Sequence, residues 1–270
     1  MHPDLFNLGF LHVKTYGACM AIGFLLCWKV IERLSGRRDL GDLLVLLMLS
    51  GVVGSRVAYV IEHWRSEFAD DPLRIVRIDQ GGLMFYGGLI LAIVMFFVWC
   101  RRKRVAPFAL ADLLCTVLPL GHACGRIGCF FYGCCYGRQV DSPFAVSFPL
   151  HSPAWMEQFH AGLIPRMASE SLPVLPTQLF EAVALLALFA ILMALRRRSR
   201  RGGSEPAAGR QAGTYLIGYA TIRFAMEFLR GDPRAAWAGL SVGQLISIGM
   251  VALGVAFVAL SFSGRKGTAS

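Results

Sequence analysis

Residues 110–137 read LADLLCTVLPLGHACGRIGCFFYGCCYG. The first part is an unbroken apolar run apart from Asp112 and Thr116. The second part, residues 121–137, closes that run with a His, an Arg, four cysteines and five glycines. Groups of this kind are costly in hydrocarbon unless they line a site. The stretch therefore reads as a membrane helix with chemistry at its far end. The plainer alternative is a glycine-rich helix end with packing cysteines, since free Cys is often buried.

Composition extends that reading to the whole chain. Over 270 residues, 56% are hydrophobic and 16% charged, and the mean hydropathy is +0.56, far more apolar than a soluble domain. The expected fold class is all-α: a polytopic membrane protein in one membrane domain, residues 1–270. A net charge of +10 would suggest nucleic acid in a soluble protein. Here the basic residues fall in short runs between apolar segments, so they are topology signals and no nucleic-acid partner is expected.

About seven apolar segments of roughly 17 to 22 residues follow one another, the length a helix needs to cross the hydrocarbon core. They cover residues 16–31, 42–61, 83–99, 110–128, 177–195, 214–228 and 240–262. The first is not a cleaved signal peptide, because its positive charges follow it. Arg33, Arg37 and Arg38, then Arg101 and Arg104, then Arg196 and Arg201, and finally Arg265 and Lys266 mark every second connection. The positive-inside rule makes these connections cytoplasmic, which sets the N-terminus outside and the C-terminus inside. Residues 129–176 then form a small external head, and 196–212 a flexible cytoplasmic connector. The absence of an internal repeat weakens a transporter reading.

Charged residues near the spans point to the chemistry. Arg56 lies near the outer end of the second span. Arg223, Glu227 and Arg230 are spaced by four and three residues, so they share a helix face. Two guanidinium groups flanking a carboxylate suit a phospholipid headgroup, because guanidinium pairs with phosphate through two parallel hydrogen bonds. An intrahelical ladder that only steadies the helix is the competing account; Arg126 argues against it by leaving cations in excess of carboxylates. Asp42 and Asp112 read as helix caps at the cytoplasmic end. Gln178 and Glu181 share a face at the start of the fifth span, where capping and site roles compete evenly. Cys129, Cys134 and Cys135 lack the spacing of a zinc ribbon or an iron–sulfur motif, so no metal is expected. A disulfide of Cys129 with Cys134 or Cys135, or a thiol activated by His122, stays open.

GRIGCFFYGCCYG, residues 125–137, resembles a variant of the signature of the prolipoprotein diacylglyceryl transferase family. Other landmarks stand in the same order: Tyr16 with Gly17, GSRVAY at 54–59, GGLMFYGGL at 81–89, PTQLFE at 176–181, IRFAMEFLR at 222–230 and SVGQLIS at 241–247. The resemblance spans nearly the whole chain. It implies an enzyme of the bacterial inner membrane that moves the diacylglyceryl group of phosphatidylglycerol to the lipobox cysteine of a prolipoprotein, releasing glycerol phosphate without a cofactor. It further implies that Arg126 binds the headgroup and Arg223 polarises the phosphate ester, with Glu227 and Arg230 holding that geometry. Tyr16, Arg56, Gln178 and Glu181 would line the cavity.

The chain departs from the family pattern at three places. Tyr86 stands where the family usually has a His, and Cys129 and Cys134 stand for the signature Asn and Glu. The expected base is then His122, Tyr86 or a cysteine; His122 lies one helical turn from Arg126 on the same face. The alternative expectation is a membrane protein of the same fold that binds anionic phospholipid, or performs thiol redox chemistry, without the transfer.

Overall fold

The computed structural model describes residues 4–7, 12–69, 71–77, 81–201, 207–231, 236–237 and 239–266. Among them, helices dominate: α1 (Thr15–Ser35), α2 (Asp39–Glu62), α3 (Phe85–Lys103), α4 (Pro107–Tyr132), α5 (Pro153–His160), α6 (Thr177–Arg201), α7 (Arg210–Glu227) and α8 (Val242–Lys266). The strands are short: β1 (Asp4–Asn7) pairs with β2 (His12–Lys14), and β3 (Ala236–Trp237) with β4 (Leu240–Ser241). Five helices are long and apolar enough to cross a membrane, namely α2, α3, α4, α6 and α8 over Val242–Phe262. Helices α1 and α7 occupy the places expected for the first and sixth spans. Helices α1, α3 and α6 have apolar outward faces: Leu25 is 61% exposed on α1, Ile90 63% on α3 and Val183 68% on α6. A soluble monomer does not leave that much apolar surface in water, and a bilayer covers it without cost. The chain is an all-α, multi-pass membrane protein.

The chain forms two compact units, residues 31–110 and residues 1–30 with 111–270. In the first, α2 and α3 pack backbone to backbone. A Cβ on Gly87 would lie 2.3 Å from Ala58 Cβ and 2.5 Å from the Gly54 carbonyl, and one on Gly88 2.5 Å from the Gly51 carbonyl. Small residues at such a contact let membrane helices approach closely where no hydrophobic drive exists between them. After α2 the chain makes a π turn (Trp64–Phe68) and a 3₁₀ turn (Pro72–Val76). Both are organised around Arg56.

In the second unit, α1 lies on the glycine edge of α4. Gly121 touches Cys27, Gly125 touches Met20, and Gly128 touches Tyr16 and Cys19. Those glycines recur every three or four residues, so they form one stripe; the neighbouring stripe carries His122, Arg126 and Cys129. Ala123 packs with Ala182 and Leu185 of α6. Helices α7 and α8 meet at Gly213 and Gly254, each against the other's carbonyl. Asp112 is a cap, but not of its own helix: its carboxylate accepts from the backbone N–H groups of Gly209 and Ala212, both at 2.8 Å, at the start of α7. A carboxylate there satisfies orphan donors and favours the positive helix end.

Two expected boundaries move. Helix α4 runs to Tyr132 and α6 to Arg201, so the segments at 129–132 and 196–201 are helical. A run of Arg at the C-terminal end of α6 complements the helix dipole and extends the helix rather than fraying it.

Residues 133–176 fold as one small layer. Ser152 caps α5 by accepting from the Trp155 N–H at 3.3 Å, with Pro153 at the first helical position, where its missing N–H is harmless. Tyr136, Phe148, Ala154 and Val174 form the core of this layer, and Phe130 at the end of α4 packs against it. Tyr136 donates to Glu157, Trp155 Nε1 to the Ala168 carbonyl, and the Leu172 N–H to Gln158.

Candidate active site

The site is built where three chain ends meet: the end of α4, the start of α6 and the end of α7. The segment after α4 is clamped on both sides. The Gly137 N–H donates to the Leu175 carbonyl at 2.9 Å, and the Arg138 N–H to the Leu229 carbonyl at 2.9 Å. Gly137 has no room for a side chain, since a Cβ would lie 2.7 Å from Leu175 and 2.8 Å from the Leu229 carbonyl. The signature of α4 is thereby fixed against PTQLFE and IRFAMEFLR.

Helix periodicity then brings four charges together. Arg126 Nε forms an ion pair with Glu181 Oε2 at 3.0 Å. Arg223 Nη1 donates to the same carboxylate at 3.1 and 3.2 Å, and Nη2 to Glu227 Oε2 at 3.3 Å. Glu181 and Glu227 side chains are 3% and 5% exposed, Arg223 13% and Arg126 20%. The carboxylates are thus the more deeply buried members and the guanidiniums the more exposed. Arg126 and Arg223 face two carboxylates, and Glu181 sits between the two guanidiniums. A buried carboxylate shared by two guanidiniums holds both planes in fixed orientation. Arg126 approaches this carboxylate with its Nε.

Further side chains support these four. A Cβ on Gly243, in SVGQLIS at the start of α8, would lie 3.3 Å from Glu227 Oε2, so the glycine lets the carboxylate lie on backbone. Tyr219, one turn before Arg223, lies within interaction range of Arg126. Neither residue was singled out in the sequence; spacing of four from Arg223 was the available signal for Tyr219.

Gln178 is 1% exposed, and its Nε2 donates to the Cys134 carbonyl at 2.8 Å. Thr177 Oγ1 donates to the Cys135 carbonyl at 2.9 Å. Cys129, Cys134 and Cys135 lie with their sulfurs within 4.8 Å of one another, and all eight cysteines are free. The closeness of the three sulfurs sets the thiols apart: Cys135 is held below the ordinary thiol range, helped by the Arg230 guanidinium, and Cys134 is pushed above it. Tyr16, at the start of α1, lies within charge-interaction range of these cysteines and of Arg126.

Three further expected site residues have partners of their own. His122 packs its ring against Tyr219 at 5.1 Å, and its Nδ1 lies 3.5 Å from Tyr215 Oη, both on α7. Tyr86, 53% exposed at the start of α3, stacks edge-on with Phe85. Arg56 donates to five backbone carbonyls, those of Arg74, Ile75, Arg77, Gly81 and Gly82, at 2.6–3.0 Å. A guanidinium has five N–H groups. Arg56, expected to line a cavity, has none left for a ligand, because its own loop takes them all.

The comparisons with known proteins agree with this geometry. Residues 3–260 match the family described as prolipoprotein diacylglyceryl transferase. A phosphatidylglycerol–prolipoprotein diacylglyceryl transferase of Bordetella bronchiseptica is 33% identical over 264 residues, 93% of this chain and 92% of the relative. That of Geobacter sulfurreducens is 33% identical over 276 residues, covering 98% and 96%, and that of Vibrio cholerae 33% over 271 residues, covering 96% and 91%. With the match running through every element that holds the charge network, the chain belongs to the prolipoprotein diacylglyceryl transferase family.

Proposed function

We propose that this protein transfers the diacylglyceryl group of phosphatidylglycerol to the cysteine thiol of a prolipoprotein lipobox. The observation that carries the proposal is the pair of guanidiniums, Arg126 and Arg223, locked on one buried carboxylate, Glu181. In the reaction the acceptor sulfur attacks the glycerol carbon bearing the phosphate. The carbon–sulfur bond forms as the carbon–oxygen bond to phosphate breaks. Glycerol phosphate leaves with the electron pair, and the thiol proton passes to solvent or to the departing phosphate. Negative charge grows on the leaving oxygen, so preorganised cations beside it lower the barrier without reorganising at the moment of reaction.

Each residue then has a task. Arg126 holds the headgroup phosphate. Arg223, fixed by Glu181 and Glu227 through Nη1 and Nη2, offers its remaining N–H groups to the leaving oxygen, and Arg230 closes that end of α7. Gln178 fixes the loop of Cys134, while Tyr16, Cys129 and Cys134 border the same opening. Arg56 shapes its loop rather than the lipid site. His122 positions Tyr219 and, through it, Arg126. The enzyme works in the bacterial inner membrane with residues 133–176 as the external head and the C-terminus in the cytoplasm, as the Arg runs after α1, α3 and α6 support.

The test is reconstitution of the full chain in vesicles containing phosphatidylglycerol, with a synthetic lipobox peptide. The expected result is a peptide heavier by one diacylglyceryl group and an equal amount of free glycerol phosphate, both abolished in Arg223→Ala. Lipid binding without either product would overturn the proposal.

A further inference from the structure

The three sulfurs of Cys129, Cys134 and Cys135 form a group that the transfer reaction does not use. Their convergence is built by backbone. The N–H groups of Gly133 and Cys134 both donate to the Cys129 carbonyl, at 2.9 and 3.2 Å, which turns the chain back over the end of α4. Gly133 takes φ +80° and Cys135 φ +62°. The left-handed region suits glycine and strains a cysteine, and strain of this kind persists only where the surroundings over-determine it. They do so here: Gln178 and Thr177, both essentially buried, hold the carbonyls of Cys134 and Cys135 in place. The thiols thus meet in a pinned turn rather than in a loose loop.

We propose that Cys129, Cys134 and Cys135 form a three-sulfur site for a thiophilic d¹⁰ cation, monovalent copper before divalent zinc. Metal–sulfur bonds of about 2.3 Å put the sulfurs of a planar three-coordinate site about 4 Å apart. Sulfurs already within 4.8 Å close to that spacing by small side-chain rotations. Soft thiolates select Cu(I) and Zn(II) over harder ions. Structural zinc asks for four ligands, and no fourth His, Cys, Asp or Glu ligand atom joins the group among the described residues. Three-coordinate Cu(I) needs none. Binding forms three Cu–S bonds and releases to solvent the protons of those sulfurs that are still thiols, with no change in oxidation state. The product carries net negative charge, and the guanidiniums of Arg126 and Arg230 lie within interaction range of its sulfurs to offset it.

The experiment titrates Cu(I) into the full chain, purified in detergent, reduced and kept free of oxygen, against a chromogenic Cu(I) chelator. This readout does not depend on lipid transfer, so its failure leaves the proposed function standing. The expected result is one Cu(I) per chain withheld from the chelator. Cys134→Ser and Cys129→Ser each weaken retention by at least about 100-fold, while Cys27→Ser and Cys100→Ser retain it like the parent. X-ray absorption on the loaded parent, which needs no variant to fold, should show three sulfurs and no nitrogen or oxygen. Retention unchanged in Cys134→Ser, a shell of two sulfurs, or Zn(II) displacing Cu(I) would each overturn the assignment.

Discussion

Arg56 and Arg223 are both arginines toward the C-terminal ends of long helices, α2 and α7, and the structure uses them in opposite ways. Arg56 is 9% exposed and gives all five donors to neutral carbonyls of residues 74–82. Its face also lies over the Phe68 ring at 5.3 Å, a cation–π contact that helps a desolvated charge. Arg223 is anchored by carboxylates, Glu181 and Glu227. The difference is one of acceptor. Carbonyls that saturate a guanidinium turn it into a structural pin. Carboxylates that take part of its donors orient it and leave the remaining N–H groups for an incoming anion. A charged residue in a membrane helix is therefore assigned by what its donors meet, not by its charge alone.

Substituting Lys at each position separates the two uses. Arg223→Lys keeps the charge but loses the planar fork. The expected result is at least about a 10²-fold fall in the rate of lipid transfer, the scale of a lost transition-state donor, with the thermal midpoint in detergent little changed. A Lys variant that transfers at nearly the parent rate would reduce Arg223 to a structural partner of Glu227 and erase the contrast with Arg56.

Arg56→Lys should fail differently. An ammonium has three donors for the five carbonyls that now converge there, so buried acceptors lose a charged donor, at about 2 kcal/mol in total. The readout is thermal unfolding of the detergent-solubilised chain, lowered by the variant, with the Michaelis constant for phosphatidylglycerol held. A raised constant with unchanged stability would return Arg56 to the lipid site.

The same unit offers a smaller test that involves no charge. Gly87→Ala places a methyl group into Ala58 and the Gly54 carbonyl, and overpacking of this kind costs about 1.5 kcal/mol. Gly17→Ala, with nothing within 4 Å of its Cβ position, should be neutral or slightly stabilising by helix propensity. Equal effects of the two substitutions on unfolding would mean that α2 and α3 do not meet at Gly54 and Gly87.

What the sequence reveals follows the same division. Side-chain periodicity shows in letters, so the places of the seven long helices, the shared face of Arg223 and Glu227 and the importance of 121–137 could all be read. Backbone acceptors carry no letter, so Arg56 looks like any other cation until the carbonyls of Gly81 and Gly82 are seen around it. Glu181 presents the third case. Its cap and site roles are indistinguishable along the chain, because its two partners lie 55 residues before it and 42 after it. Only the fold puts it between them. Asp112 reads as a cap in both, yet the helix it caps begins 98 residues later.

His122 gives the smallest expected effect and the finest test of the site's limits. In the sequence it is the natural replacement for the family's absent His, one turn from Arg126. In the structure its ring is packed between Tyr215 and Tyr219, and its Nδ1 faces Tyr215 Oη at 3.5 Å. A general base must reach the proton it removes directly or through one water, and a ring held by two tyrosines from α7 is placed to support Tyr219 instead. His122→Gln keeps a polar group of similar reach. It should lower transfer less than about tenfold, act on the Michaelis constant through Tyr219 and Arg126 more than on turnover, and leave the pH profile of the rate unmoved. A larger loss, carried by turnover and accompanied by a displaced acid limb, would make His122 the base; partial rescue by adding Tyr86→His would then show that the two positions supply the same proton-accepting group.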